Sequence, residues 1–197
     1  MLLRNWRAIT LAAIAGLAGI ALSGCSDTGG ATTNGLAAVK PVSLALSSSA
    51  IHDRKLPALY TCDGKNIAPP LSWGAVPASV EELALFVLST QRDKEGRTAL
   101  SIDWGLAGVK PGLHRLRAGE VPHGAFEVTG SNGRKGYTLC PARGHTERYV
   151  FAVFALPAGA RVTPGLPGAT LLHNLTDPTP ENESPASGSF AVAYKRG

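Results

Sequence analysis

Residues 60–73 read Tyr60-Thr-Cys-Asp-Gly-Lys-Asn-Ile-Ala-Pro-Pro-Leu-Ser-Trp73, and their reading decides the fold. Asp63-Gly64 is a turn dipeptide, because glycine accepts a positive φ at no steric cost. Pro69-Pro70 removes two amide donors and fixes two φ angles, so the chain there is extended and not helical. Leu71 and Trp73 lie one pleat period apart and face one side of a strand. A turn, a rigid arm and an aromatic anchor in so short a stretch predict one wall of a site.

Outward from this wall the chain is a series of short strands. Apolar runs predict strands at 42–46, 83–88, 100–109 and 149–156, the last buried on both faces. A weakly alternating segment predicts a final strand at 189–194. Polar residues 89–98 read as a solvent-facing loop, and 113–136 is rich in turns. At most a short helix fits 169–175. Pro178, Pro180 and Pro185 exclude a helix from 177–188. With 23 Gly and 14 Pro among 197 residues, this composition excludes a helical bundle and predicts a β-sandwich.

The first residues do not belong to that sandwich. Arg4 and Arg7 precede an uncharged apolar run over 8–22, which is short for a membrane span of ~20 residues and fits a secretory signal. Leu22-Ser23-Gly24-Cys25 follows, with small residues directly before a cysteine. This pattern resembles a bacterial lipobox, in which Cys25 becomes the lipid-bearing first residue of the mature chain. The alternative is an ordinary signal peptide that contains a cysteine. The expected organisation is therefore a signal peptide at 1–24, a tether at 25–40 and a domain at 41–197. The tether is rich in Gly, Thr, Ala and Asn, which bury too little apolar surface to order it. The localisation this predicts is a bacterial cell envelope, extracytoplasmic and lipid-anchored. In a Gram-negative cell, the absence of Asp after Cys25 points to the outer membrane.

The net charge is +5, and with Arg4 and Arg7 removed 17 basic residues stand against 14 acidic ones. The basic residues are scattered and not interleaved with aromatics, so nucleic acid is not an expected partner. Assigning Cys25 to lipid leaves Cys62 and Cys140. Outside the cytoplasm two such cysteines form a disulfide or remain as two buried thiols, and the compartment favours the disulfide.

Three segments now fall into one ordered pattern. They are Tyr60-Thr-Cys-Asp-Gly…Pro69-Pro70-Leu-Ser-Trp73 with Val76-Pro77; the apolar strand at 83–88 followed by Asp103-Trp104; and Gly136-Tyr137…Cys140-Pro141…Gly144…Arg148-Tyr149 with Phe151 and Phe154-Ala-Leu156. The chain from 42 to 196 resembles the phosphatidylethanolamine-binding protein family, most closely its bacterial, Raf-kinase-inhibitor-like branch. The resemblance implies a mainly β fold, a sandwich of two antiparallel sheets with few short helices. It also implies a small pocket at one end that binds anionic groups such as phosphate.

The pocket motifs of that family are altered here. Ser89-Thr-Gln-Arg-Asp93 stands where the resemblance implies an Asp-Pro-Asp loop. Asp103 replaces a His before Trp104, Leu139 and Ala142 replace parts of a Gly-Pro-Cys-Pro-Pro loop, and Glu147 replaces the His of a His-Arg-Tyr triplet. A histidine donates to phosphate and can be cationic, whereas an ionised carboxylate only accepts. The altered pocket therefore repels phosphate unless its carboxyls are protonated or paired, with Arg92 and Arg148 as candidate pairing partners. The expected ligand-contact residues are Asp103, Trp104, Pro141, Glu147 and Tyr149. Trp73 and Trp104 also fit the plainer role of core anchors.

No catalytic residue is assigned. Gly-x-Ser-x-Gly is absent, and His52, His114, His123, His145 and His173 lack metal-ligand spacing. His145 lies in the pocket loop and is a possible substitute for a lost His or a plain loop residue. No cofactor is expected. Three functions remain: a non-catalytic binder of a small-molecule ligand; an interaction or inhibitor protein with a decayed pocket, acting on an envelope kinase or protease; and, least supported, a hydrolase using the Asp103–Glu147 pair. Contact with the membrane is expected through the N-terminal lipid only.

Overall fold

A computed structural model describes residues 42–92, 95–156, 159–160, 162–177 and 184–197. The expected signal peptide, Cys25, the tether and Asp93 lie outside the described residues. The elements in order are β1 (Val42–Ser43), a 3-10 turn at Ala58–Tyr60, β2 (Leu71–Ser72), β3 (Leu83–Arg92), β4 (Thr98–Val109), β5 (Arg115–Leu116), β6 (Phe126–Glu127), β7 (Thr146–Ala155), α1 (Gly168–Thr176) and β8 (Ala186–Lys195). Six strands form one sheet in the order β1-β8-β7-β3-β4-β6, and β2 with β5 forms a second, two-stranded sheet. This is the mainly β, two-sheet architecture expected. The pairings between these strands are antiparallel except β1 with β8, which is parallel.

Period-two alternation splits the large sheet into two apolar faces. Leu83, Leu85, Val87, Trp104, Leu106, Tyr149, Phe151, Val153 and Val192 pack on one face with Leu71, Trp73 and Leu116 of the small sheet. Ala84, Phe86, Leu88, Ile102 and Ala107 pack on the other with Leu171, Leu172 and Leu175 of α1. Each buried leucine contributes about 1.5–3 kcal/mol, so three are enough to hold a nine-residue helix that has no side-chain cap. β7 lies inside the sheet between β3 and β8, which accounts for its nearly unbroken apolar run.

Three local expectations change. Of the expected 89–98 loop, residues 89–92 and 98 are strand: Ser89 pairs with Ser101, Thr90 with Leu100, Gln91 with Ala99 and Arg92 with Thr98. Its polar composition marks a ladder running beyond the core, not a break in it. The strand expected at 42–46 shrinks to Val42–Ser43. The Asp63-Gly64 turn forms, but Gly64 does not have a positive φ; Asn66 does, at 52°. Gly64 is needed for close approach instead, since a Cβ there would lie 2.5 Å from the Ala58 carbonyl oxygen and 2.6 Å from Leu59 Cα.

Candidate functional site

The strand register sets up the site. Val87 pairs with Trp104 and Leu88 with Ile102, so Asp103 is an extra residue in β4, a one-residue bulge. Bulges re-aim side chains and recur beside functional sites. On β7, Glu147 and Tyr149 are two residues apart and share a face. Beyond the end of the first core these positions meet in a cavity of about 250 Å³. Asp103, Glu147 and Tyr149 line it together with Ser89, Gln91, Ser101, Ile102, Ser131, Asn132, Thr138, Cys140 and Pro141.

The loop wall is tied to the 60–73 stretch by several bonds. Cys62 and Cys140 form a disulfide. Cys62 N donates to Leu139 O at 3.0 Å. Leu139 N donates to Asn66 Oδ1 at 3.1 Å, and Tyr137 Oη to Tyr60 O at 3.0 Å. Asp63 accepts from Tyr194 Oη at 2.6 Å and from Arg196 Nε at 3.0 Å, while Arg196 also donates to Pro141 O at 3.1 Å. The Tyr194 hydrogen bond, then Arg196, holds the Asp63 carboxyl below its ordinary range. On the opposite wall, Ile102 N donates to Ser131 Oγ at 2.8 Å and Ser131 N to Ile102 O at 2.9 Å. These bonds pin the 130–134 turn next to Asp103.

The cavity is acidic. Among its described lining there is no Lys, Arg or His. Burial raises the Asp103 pKa to about 6, the Glu147 charge adds to the rise, and hydrogen bonds from Ser89 and Ser101 oppose it. Asp103 Oδ2 is shut from solvent and has no hydrogen-bond partner. Burial first, then Asp103 and Glu147, pushes the Tyr149 hydroxyl well above its ordinary range, so it remains a neutral donor. Among the described residues, no group of three His, Cys, Asp or Glu is placed to hold a metal ion.

Four of the five expected contact residues, Asp103, Pro141, Glu147 and Tyr149, line this cavity. Trp104 does not. It is 2% exposed, donates from Nε1 to Glu127 Oε1 at 2.9 Å and meets Tyr137 edge-on at 5.9 Å. It lines a separate cavity of about 170 Å³ with Glu127 and Tyr137. Arg148 is also absent, because alternation turns it to the opposite face of β7 from Glu147 and Tyr149. It makes no ion pair with either carboxylate. His145 is exposed and lies outside the lining. The hydroxyl residues Ser89, Ser101, Ser131 and Thr138 were missed by the motif reading. For Ser89 the available signal was a small polar residue directly after the apolar run at 83–88, and for Ser101 one inside the run at 100–109.

The family profile described as phosphatidylethanolamine-binding protein matches residues 46–188. A Mycobacterium tuberculosis protein named as lipoprotein LppC is 35% identical over 173 residues, spanning 79% of this chain and 84% of its own. A UPF0098 protein of Methanothermobacter thermautotrophicus is 34% identical over 127 residues, 61% of this chain and 81% of its own. The Chlamydia trachomatis protein CT736, described as a homolog of phosphatidylethanolamine-binding proteins, superposes with a TM-score of 0.66 at 26% identity, over 79% of this chain and 99% of that one. E. coli YbcL, a member of the mammalian PEBP family, gives a TM-score of 0.65 at 20% identity, over 78% and 99%, and is a likeness of fold alone.

Proposed function

Because the chain belongs to the phosphatidylethanolamine-binding protein family, we propose that it is a non-catalytic binding protein whose end-of-sheet cavity takes a small cationic or donor-rich ligand. An ammonium group is the simplest chemistry that fits. The observation that carries this reading is Asp103 Oδ2, buried without a partner beside Glu147 in a cavity with no basic residue among its described lining. A buried acceptor left unpaired costs about 1–3 kcal/mol, and a donor supplied by a ligand removes that cost. A phosphate would bring further negative charge to two carboxyls. The relative named as a lipoprotein supports a second part of the reading, that Cys25 carries lipid and holds the domain at the extracytoplasmic face of a membrane.

Thermal shifts with ethanolamine, choline, phosphate and glycerol phosphate test the ligand class. Ethanolamine or choline is expected to raise the melting temperature and phosphate is not; a ligand at a hundred times its Kd stabilises by about 2.7 kcal/mol. The shift is expected to vanish in Asp103→Asn and Glu147→Gln. Phosphate bound beside Glu147 at neutral pH would overturn the proposal. Cys25→Ser is expected to move the protein from the membrane to the soluble fraction; a variant that stays membrane-bound would refute the anchor.

A further inference from the structure

A larger cavity, about 650 Å³, lies on the other edge of the sheet, between β8 and residues 46–54. β8 is bonded to β7 along one side. Along its other side it is bonded at two places only among the described residues. Val42 N donates to Pro185 O at 2.9 Å and Leu44 N to Ser187 O at 2.7 Å; further on, Ala193 N donates to Arg54 O at 2.8 Å and Ala193 O accepts from Leu56 N at 3.0 Å. Both contacts run parallel to β8. Residues 187 and 193 turn their backbone groups outward, so the period of two turns Ser189 and Ala191 outward as well. Neither has a hydrogen-bond partner on that edge among the described residues. The outermost strand of the sheet is interrupted, and the cavity fills the interruption.

The side chains around this gap are of two kinds. Leu46, Ile51, Val150 and Phe190 give it apolar walls. Arg54 and Arg148 stand at the Ala193 end, where Arg148 pairs with Ala193 in register and Arg54 O bonds Ala193 N. Both arginines line the cavity, and neither makes an ion pair or a side-chain hydrogen bond among the described residues. Arg54 has a φ of 56° and Asp53 of 51°, a left-handed region that non-glycine residues rarely adopt.

We propose that this groove binds a short extended peptide, parallel to β8, with a carboxylate at its C-terminal end held by Arg54 and Arg148. An exposed strand edge offers alternating donors and acceptors, and another peptide backbone is the ligand that matches both. The gap from Ser187 to Ala193 spans about 20 Å at strand rise, enough for a tri- or tetrapeptide. The parallel direction places the C-terminus at the arginines, whose planar forks suit a carboxylate. A fatty acid would satisfy the arginines and the apolar walls but leave the Ser189 and Ala191 carbonyls unpaired.

The test uses the full chain carrying Cys25→Ser. In the free protein, the amides of Ser189 and Ala191 are expected to exchange with deuterium at least tenfold faster than those of Phe190 and Val192. Acetyl-Val-Thr-Val-Leu with a free C-terminal carboxylate is expected to slow those two amides at least fivefold. Its Kd is expected to rise at least fivefold in Arg148→Gln, in Arg54→Gln and when the peptide's C-terminus is amidated. A peptide N-methylated at alternate residues is expected to bind at least tenfold more weakly. Unchanged exchange at millimolar peptide, or equal binding of the N-methylated form, overturns the proposal. So does decanoate binding in the absence of peptide binding, or a dimer that protects the same amides.

Discussion

Asp103 occupies a position where its own charge works against folding. Its folded pKa of about 6 stands above the ordinary 3.8. The folded state therefore holds the proton more tightly, and stability falls as pH rises through the window from about 4 to 6. Above that window the penalty is fully present and on the order of 2–3 kcal/mol. Asp103→Asn is expected to raise stability at pH 8 by up to that amount, and to leave it nearly unchanged at pH 4. Urea denaturation at both pH values checks this; a variant that loses stability at pH 8 contradicts the account. The type of residue at 103 was legible in the sequence, since a carboxylate stands where the resemblance implies a histidine. That its Oδ2 is orphaned was not legible, because solvent access depends on Ser131, Thr138 and Pro141, which arrive from distant loops.

At the scale of elements, the turn-and-arm stretch at 60–73 and the loop at 137–141 behave as one unit. The disulfide closes a separation of 78 residues, and loop closure of that length stabilises by about 4–5 kcal/mol on the chain-entropy account. Replacing both Cys62 and Cys140 with serine is expected to lower the urea midpoint accordingly. The remaining backbone bonds from Cys62 to Leu139 and from Leu139 to Asn66 keep the wall recognisable. A loss below 1 kcal/mol would show that those bonds carry the wall without the disulfide. The apolar strands at 83–88, 100–109 and 149–156 were readable from their runs because burial on a sheet imposes them. The polar end of the β3–β4 hairpin was not, because hydrogen bonding of a ladder leaves no mark in side-chain polarity.

At the scale of the molecule, two apolar cores share β3, β4 and β7. One face packs against the small sheet and the other against α1. Neither core exists without the strands common to both, so unfolding is expected to be a single cooperative transition. Trp73 and Trp104 belong to the first core, and α1 covers the second. Tryptophan fluorescence and far-ultraviolet circular dichroism are expected to report coincident midpoints; a separation of the two curves would mean that the α1 face unfolds by itself.

By itself the sequence determined the class of fold, the family resemblance and the residue types at the positions of the candidate site. Each of these is carried by local features: apolar runs, turn residues, a proline arm and two carboxylates at named positions. Tertiary structure alone decided which of those side chains meet. A one-residue bulge aims Asp103 into the cavity while Trp104 packs in the core, and the pleat puts Glu147 and Arg148 on opposite faces of one strand. It also left Ser189 and Ala191 without a partner among the described residues on the outer edge of β8. Register and edge pairing arise from contacts between residues far apart in the chain, and no local pattern encodes them.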